Sequence, residues 1–251
     1  MNILNLNKKI ILITGASGGI GLAISKCIAE LNGIPILHYN KNESNIIECM
    51  TELKALGKEC YCIRFNICNE QEVKEGIKEI KRKHGRLDGL VNNAGILARS
   101  FIATHSLKTF NEVMDINVTG SFSVLKYVSQ LMINQKSGNI VNVSSLAATM
   151  GLMGQAAYSI SKAGVNALTM IAAKEFAQYN IRVNGVAPGY IKTGMLSNPT
   201  AHDNSYINQI PLQRFGYDYE VAKVVAFLLS DGSSYITGQS IIIDGGLSIS
   251  K

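Results

Sequence analysis

Seven apolar runs of strand length recur along this chain: KIILIT (9–14), IPILHY (34–39), CYCIRF (60–65), LDGLVN (87–92), GNIVNVS (138–144), IRVNGVA (181–187) and QSIIIDG (239–245). Between them lie stretches in which apolar residues return every three or four positions, at 20–31, 43–56, 69–84, 110–134, 156–179 and 219–230. That period is helical. Short apolar runs bounded by Gly, Asn and Pro, alternating with helices, build βαβ units. Such units make a parallel sheet whose two faces are both covered. The expected class is therefore α/β, with a doubly wound parallel sheet of about seven strands. No internal repeat, linker or break in composition interrupts the 251 residues, so one domain over 1–251 is expected. The least regular stretch, about 190–217, contains the polar SNPTAHDNSY and follows the sixth run. In an open α/β sheet ligands bind beyond the carboxyl ends of the strands, which makes this segment a candidate substrate lid.

Composition excludes several classes. The formal net charge is +6, but the basic residues are spread out and groups such as KEIKRKHGR are short. They read as solvated helix faces, and they suit an anionic cofactor or an acidic partner. No basic run carries interleaved aromatics, which argues against nucleic-acid binding. Cys27, Cys49, Cys60, Cys62 and Cys68 make an odd set without zinc-site spacing. Cys60 and Cys62 alternate in a strand and should share one face. All five read as reduced thiols of a cytoplasmic protein. The four His form no metal cluster, so no metal is expected, and no apolar run approaches the roughly 18 residues of a membrane span. The N-terminus reaches IILITG too soon for a signal peptide.

The first strand runs into TGASGGIG (14–21). A Gly-rich turn between a first strand and a first helix presents backbone N–H groups at a helix N-terminus. That is an anion site, and glycine permits the close approach of a pyrophosphate. Further on, NNAG (92–95) follows the fourth run, Asn117 lies in DINVTGSF, and NVSS ends the fifth run at Ser145. Tyr158 and Lys162 stand four apart in GQAAYSISKAG, on one face of a helix. PG (188–189) follows the sixth run, with Thr193 beyond. Taken singly, Ser145 fits a strand-end turn, Asn117 a polar mid-helix residue and the Tyr/Lys pair helix decoration.

Together and in this order, the motifs resemble those of the short-chain dehydrogenase/reductases over essentially the whole chain. The resemblance implies a single-domain Rossmann fold and a catalytic set of Asn117, Ser145, Tyr158 and Lys162. Tyr158 would be the general acid for carbonyl reduction, and Lys162 would lower its pKa and hold the nicotinamide ribose. Ser145 would bond the substrate carbonyl, and Asn117 would hold a water that relays protons to Lys162. The cofactor would lie against Gly15, Ser17, Gly19, Ile20 and Gly21 of the turn. It would also meet Asn40 and Lys41 after the second strand, Asn66 and Ile67 after the third, and Asn93, Ala94 and Gly95 after the fourth. Pro188, Gly189, Ile191 and Thr193 would complete the site beside Tyr158 and Lys162. Asn92 would support the sheet.

Phrases such as ATMGLMGQAAYSISKAG, PLQRFG and ITGQSIIIDGG resemble the 3-oxoacyl-acyl-carrier-protein reductases of that family. They imply reduction of a 3-oxoacyl thioester on an acyl carrier protein. A dehydrogenase of a sugar, polyol or cyclic alcohol, or a non-catalytic cofactor-binding protein, stands as the alternative. NADP (NADPH) is favoured over NAD, because LHYNKNE ends the second strand with no acid before Glu43, while Lys41 is basic. Two departures from the family pattern are Gly18, where a basic residue is common, and Asn66, where an Asp is usual. Lys136, nine before Ser145, matches one basic position of the family's carrier-docking patch, and Tyr179 replaces the other; Arg99 and Arg214 could compensate. The apolar helix around AGVNALTMIAAKEFA and the apolar C-terminus suit burial against further copies, and a homotetramer is expected.

Overall fold

A computed structural model describes residues 4–193 and 206–250. The middle of the expected lid, 194–205, lies outside them. Nine strands are described: β1 (Ile10–Ile13), β2 (Ile34–Tyr39), β3 (Tyr61–Arg64), β4 (Gly89–Asn92), β5 (Gly138–Val143), β6 (Ile181–Pro188), β7 (Ile191–Lys192), β8 (Gly216–Tyr217) and β9 (Ser240–Ile243). The described helices are α1 (Gly19–Glu30), α2 (Ser44–Ala55), α3 (Glu70–His84), α4 (Leu107–Met114), α5 (Ser121–Gln135), α6 (Ala147–Met150), α7 (Ala156–Phe176) and α8 (Asp218–Leu229). The main sheet is parallel throughout, in the order β3-β2-β1-β4-β5-β6-β9. This is the expected seven-stranded, doubly wound Rossmann arrangement.

The strand runs are near-continuously apolar because both sheet faces are buried. One core gathers Ile11, Ile13, Leu37 and Val91 beneath α1, α2 and α8. The other gathers Leu12, Ile36, Leu90 and Ile140 against α3, α5 and α7. Successive strand residues thus feed opposite layers. The order reverses at β1, which pairs with both β2 and β4. Their carboxyl ends diverge there, and ligands of such sheets bind in that crevice.

Three expectations change. The stretch 110–134 is not one regular helix: between α4 and α5 it widens into a π-helical turn, Asp115–Gly120. Asn117 sits inside that turn with no exposed surface. Cys60 and Cys62 do not share an environment. Cys60 is buried ahead of β3, while Cys62 is exposed on β3, the edge strand, which pairs with β2 alone. Lys136 closes α5 just before β5 begins, whereas Ser145 follows the other end of β5, so one strand length separates it from the cleft. The two described ends of the lid segment meet as a parallel ribbon, Ile191 with Gly216 and Lys192 with Tyr217. Among the described residues no helix is long and apolar enough to cross a membrane.

Candidate active site

The carboxyl ends of the strands open into one cavity of about 1370 Å³. Its floor begins at the Gly-rich turn. Gly15 adopts φ +62°, and a Cβ there would stand 2.8 Å from the Ala94 Cα, so the turn and the NNAG segment can touch only through glycine. Thr14 fastens the two: its Oγ1 accepts the amides of Asn93 (3.0 Å) and Ala94 (3.1 Å). Asn93 Nδ2 answers with bonds to the carbonyls of Thr14 and Gly15, both at 3.0 Å. Asn92 points the other way, into the sheet, where its Nδ2 donates to Asn142 Oδ1 (3.1 Å) and the Ser121 carbonyl (3.2 Å).

Helix α1 starts at this turn with Gly18 as its cap and no acidic residue in its first turn. Its first amides therefore face the cleft without a carboxylate to neutralise them, which fits a pyrophosphate. Beside the turn the cleft passes Asn40, Lys41 and Asn42 after β2, then Asn66, Ile67 and Cys68 after β3. No carboxylate from the end of β2 lines it. The nearest acid in sequence, Glu43, accepts the Tyr39 phenol at 2.6 Å.

At the opposite end β5 delivers Ser145 and α7 delivers Tyr158 and Lys162. Ser145 Oγ accepts the Ala147 amide at 3.2 Å and shares a hydrogen bond with the Tyr158 phenol. Lys162 is buried, and its Nζ donates to the Val143 carbonyl at 2.8 Å while lying 5.7 Å from the Tyr158 ring centre. The Ser144 hydroxyl donates back to the Lys162 carbonyl at 3.0 Å, which locks strand end to helix. Burial pushes the Tyr158 phenol up, opposed by the Ser145 bond. Burial also pulls the Lys162 ammonium down to about 8. For the phenol, loss of water outweighs the bond from Ser145.

Asn117 stands behind this triad. Its Nδ2 donates to the Ile96 carbonyl and to Ser161 Oγ, both at 2.9 Å, and its Oδ1 accepts the Ile96 amide at 2.8 Å. Ser161 in turn donates to the Tyr158 carbonyl at 2.7 Å. An Asn in a π turn is well placed for this, since the wider turn frees inward-facing space. A Cβ on Gly95 would come 3.0 Å from Asn117 Oδ1 and 3.3 Å from Lys162 Nζ. The bare glycine keeps the gap between those two groups open.

Every residue expected to meet a cofactor lines this cavity: Gly15, Ser17, Gly19, Ile20, Gly21, Asn40, Lys41, Asn66, Ile67, Asn93, Ala94, Gly95, Tyr158, Lys162, Pro188, Gly189, Ile191 and Thr193. Ser145 joins them, and Asn117 does not reach the surface. Sequence reasoning missed three features of the wall. His38 reaches it from β2. Lys108, Asn111 and Glu112 on α4, with Asp115 at the start of the π turn, form a polar stripe, a spacing that marks one helix face. Tyr190 lines the substrate end, where Arg99, already singled out in the sequence, lines it too.

Comparison with known proteins agrees with this geometry. A family model described as enoyl-(acyl carrier protein) reductase matches residues 15–248. The chain is 41% identical over 238 residues to a 3-oxoacyl-[acyl-carrier-protein] reductase of Staphylococcus epidermidis, covering 94% of this chain and 97% of that one. Among solved structures, a gluconate 5-dehydrogenase of Burkholderia cenocepacia in complex with NADP and tartrate superposes with a TM-score of 0.92 at 28% identity, covering 100% and 99% of the chains. An NAD⁺-bound xylitol dehydrogenase superposes at 0.91 with 36% identity, covering 96% and 99%. The chain belongs to the short-chain dehydrogenase/reductase family, and it is an oxidoreductase built for a nicotinamide cofactor.

Proposed function

We propose that this protein reduces a 3-oxoacyl thioester to the 3-hydroxyacyl thioester with NADPH, the substrate being carried on an acyl carrier protein. The observation that carries the chemistry is the convergence of Ser145, Tyr158 and Lys162 at one end of the cleft whose other end is the Gly-rich turn. The likeness to carrier-protein reductases over 94% of the chain supports the substrate class. Bound there, the nicotinamide supplies the hydride. Ser145 holds the carbonyl oxygen through its hydroxyl, and Tyr158 gives that oxygen its proton. Lys162, fixed by the Val143 carbonyl, keeps a positive charge beside the phenol and orients the ribose. Asn117 fixes the Ile96 backbone and Ser161, and through Ser161 the start of the catalytic turn of α7. The open gap at Gly95 suits the proton relay expected of Asn117.

NADPH is favoured over NADH because Asn40, Lys41 and Asn42 present no carboxylate to repel a 2′-phosphate. A homotetramer within one domain architecture is part of the reading. Phe122 on α5 and Ile160, Met170 and Ile171 on α7 are exposed apolar residues, as are Tyr235, Ile242 and Ile249 toward the C-terminus. Such faces suit burial against further copies. A cytoplasmic location follows from the same reading.

The test is oxidation of NADPH and NADH, followed at 340 nm with acetoacetyl-CoA. Turnover with NADPH supports the proposal. A protein that binds NADPH and reduces a keto sugar acid but no thioester would overturn it in favour of the dehydrogenase alternative.

A further inference from the structure

The substrate end of the cleft holds a cation that no other charge occupies. Arg99 lines the cavity and makes neither a hydrogen bond nor an ion pair with any described residue. Its loop is not loose at this point. The next residue, Ser100, donates its amide to the Gly154 carbonyl at 2.9 Å and pairs with Gln155, directly ahead of the helix that carries Tyr158. Arg99 is thereby pinned to the mouth of the catalytic end.

Tyr190, two residues beyond β6, lines the same cavity. Burial raises its phenol pKa, the Tyr206 phenol adds to this, and the Arg99 guanidinium opposes both. The Tyr190 ring is braced by Tyr206 and Phe215 at centroid distances of 4.9 and 5.8 Å. Arg214, in the lid segment, is committed elsewhere: it grips Glu220 through two bonds of 2.8 and 2.7 Å. The carboxylates of this cavity, Glu112 on α4 and Asp115 at the start of the π turn, form no ion pair with Arg99.

A guanidinium with no carboxylate partner, lining the same cavity as a phenol, has the chemistry of an oxyanion receptor. We propose that Arg99, assisted by Tyr190, is a substrate-anion subsite that recognises an oxyanion carried by the carbonyl substrate. On the thioester reading above, from which this inference takes its substrate, that oxyanion is the phosphate of the pantetheine arm. In a keto sugar acid it would be the carboxylate. Arg99 selects substrate here and plays no part in the proton transfer.

The experiment compares acetoacetyl-4′-phosphopantetheine with acetoacetyl-pantetheine, which differ only in the phosphate, on the wild type, Arg99→Gln and Arg99→Lys. Losing one charge-assisted contact should raise the KM for the phosphorylated substrate roughly tenfold in Arg99→Gln. The KM for the unphosphorylated one, kcat and the Kd for NADPH should stay within about twofold, and Arg99→Lys should recover part of the loss. Equal effects on both thioesters, or none on either, overturn the proposal. Calorimetric titration of 4′-phosphopantetheine and of D-gluconate gives a readout independent of turnover. Binding of either by the wild type and its loss in Arg99→Gln supports the subsite and tells phosphate from carboxylate. Binding of neither overturns it. Wild type that reduces no thioester refutes the thioester reading, while selective loss of gluconate binding would still uphold the subsite.

Discussion

The Nδ1 of His38 accepts a hydrogen bond from the Gly15 amide at 3.1 Å, so a side chain of β2 holds the first glycine of the phosphate turn. Its Nε2 meets the Phe65 carbonyl at 2.9 Å, and its own carbonyl accepts the Ala16 amide at 2.9 Å. An amide can only donate and a carbonyl only accept, so the imidazole is neutral with its proton on Nε2. One buried ring thus ties together the loops after β1 and β3, both of which line the cleft.

Burial holds the His38 pKa down to about 4. The unfolded chain takes up that proton between its ordinary value of about 6.5 and the folded value, so acid favours unfolding across this window. The contribution of His38 is complete above pH 6.5 and is lost as pH falls toward 4, at a cost of about 3 kcal/mol. Urea unfolding between pH 4 and 7 should show this slope in the wild type, and His38→Gln should flatten it. An unchanged slope in the variant would exclude His38 as its source.

Tyr158→Phe should lower kcat by at least about a hundredfold and leave the Kd for NADPH within about twofold, since only the proton donor is lost. Rapid-quench turnover and fluorescence titration separate the two. Retained turnover would remove Tyr158 from the proton-transfer role.

Lys162 has its pKa lowered to about 8 by burial. The unfolded chain holds this proton up to about 10.5, so the contribution of Lys162 to folding stability should rise as pH climbs from 8 to 10.5, against the opposite contributions of Cys49 and Tyr39, whose pKa values are raised. Lys162→Met should abolish that rise and also reduce turnover at pH 7. Parallel denaturation curves for the two proteins through this range would contradict the assignment.

Gly95→Ala places a methyl group 3.0 Å from Asn117 Oδ1, in a side-chain amide that three hydrogen bonds hold in place, one to Oδ1 and two from Nδ2. Displacing Lys162 instead disturbs the site geometry. We expect kcat to fall by about tenfold to a hundredfold with thermal stability nearly unchanged. A fully active variant would show that the gap between Asn117 and Lys162 is dispensable.

Arg182, at the far end of β6 from the cleft, donates to the carbonyls of Leu228 (3.0 Å), Ser230 (2.9 Å) and Ile236 (3.3 Å) and to Ser233 Oγ (2.9 Å). It closes the carboxyl end of α8, where helix carbonyls lack partners. Arg182→Met should destabilise the protein by about 2–4 kcal/mol while the folded fraction keeps its KM. A loss of activity without a loss of stability would contradict a purely structural role.

The strands, their parallel pairing and the cleft-lining glycines were legible because each rests on local pattern: apolar runs, Gly-rich turns after strands, and Tyr158 one helical turn from Lys162. The π turn at 115–120 was not, because Asn117 turns inward to bond Ile96, 21 residues away, and no local signal records that partner. The polar stripe of α4 has the spacing of an ordinary solvent face. Packing alone makes that face a wall of the cleft. Lys136 looked close to Ser145 at nine residues, yet an extended strand of six residues lies between them and carries the two to opposite ends of the sheet.

The sequence by itself determined the order of the elements, the layers they bury and the chemical groups available, since periodicity and turn chemistry act over a few residues. Only the tertiary structure decided which groups face one another. His38 against Gly15 and Asn117 against Ile96 are contacts between distant segments, and Arg99 and Tyr190 come from distant segments to line one cavity, all set by the shape into which the buried core draws the chain.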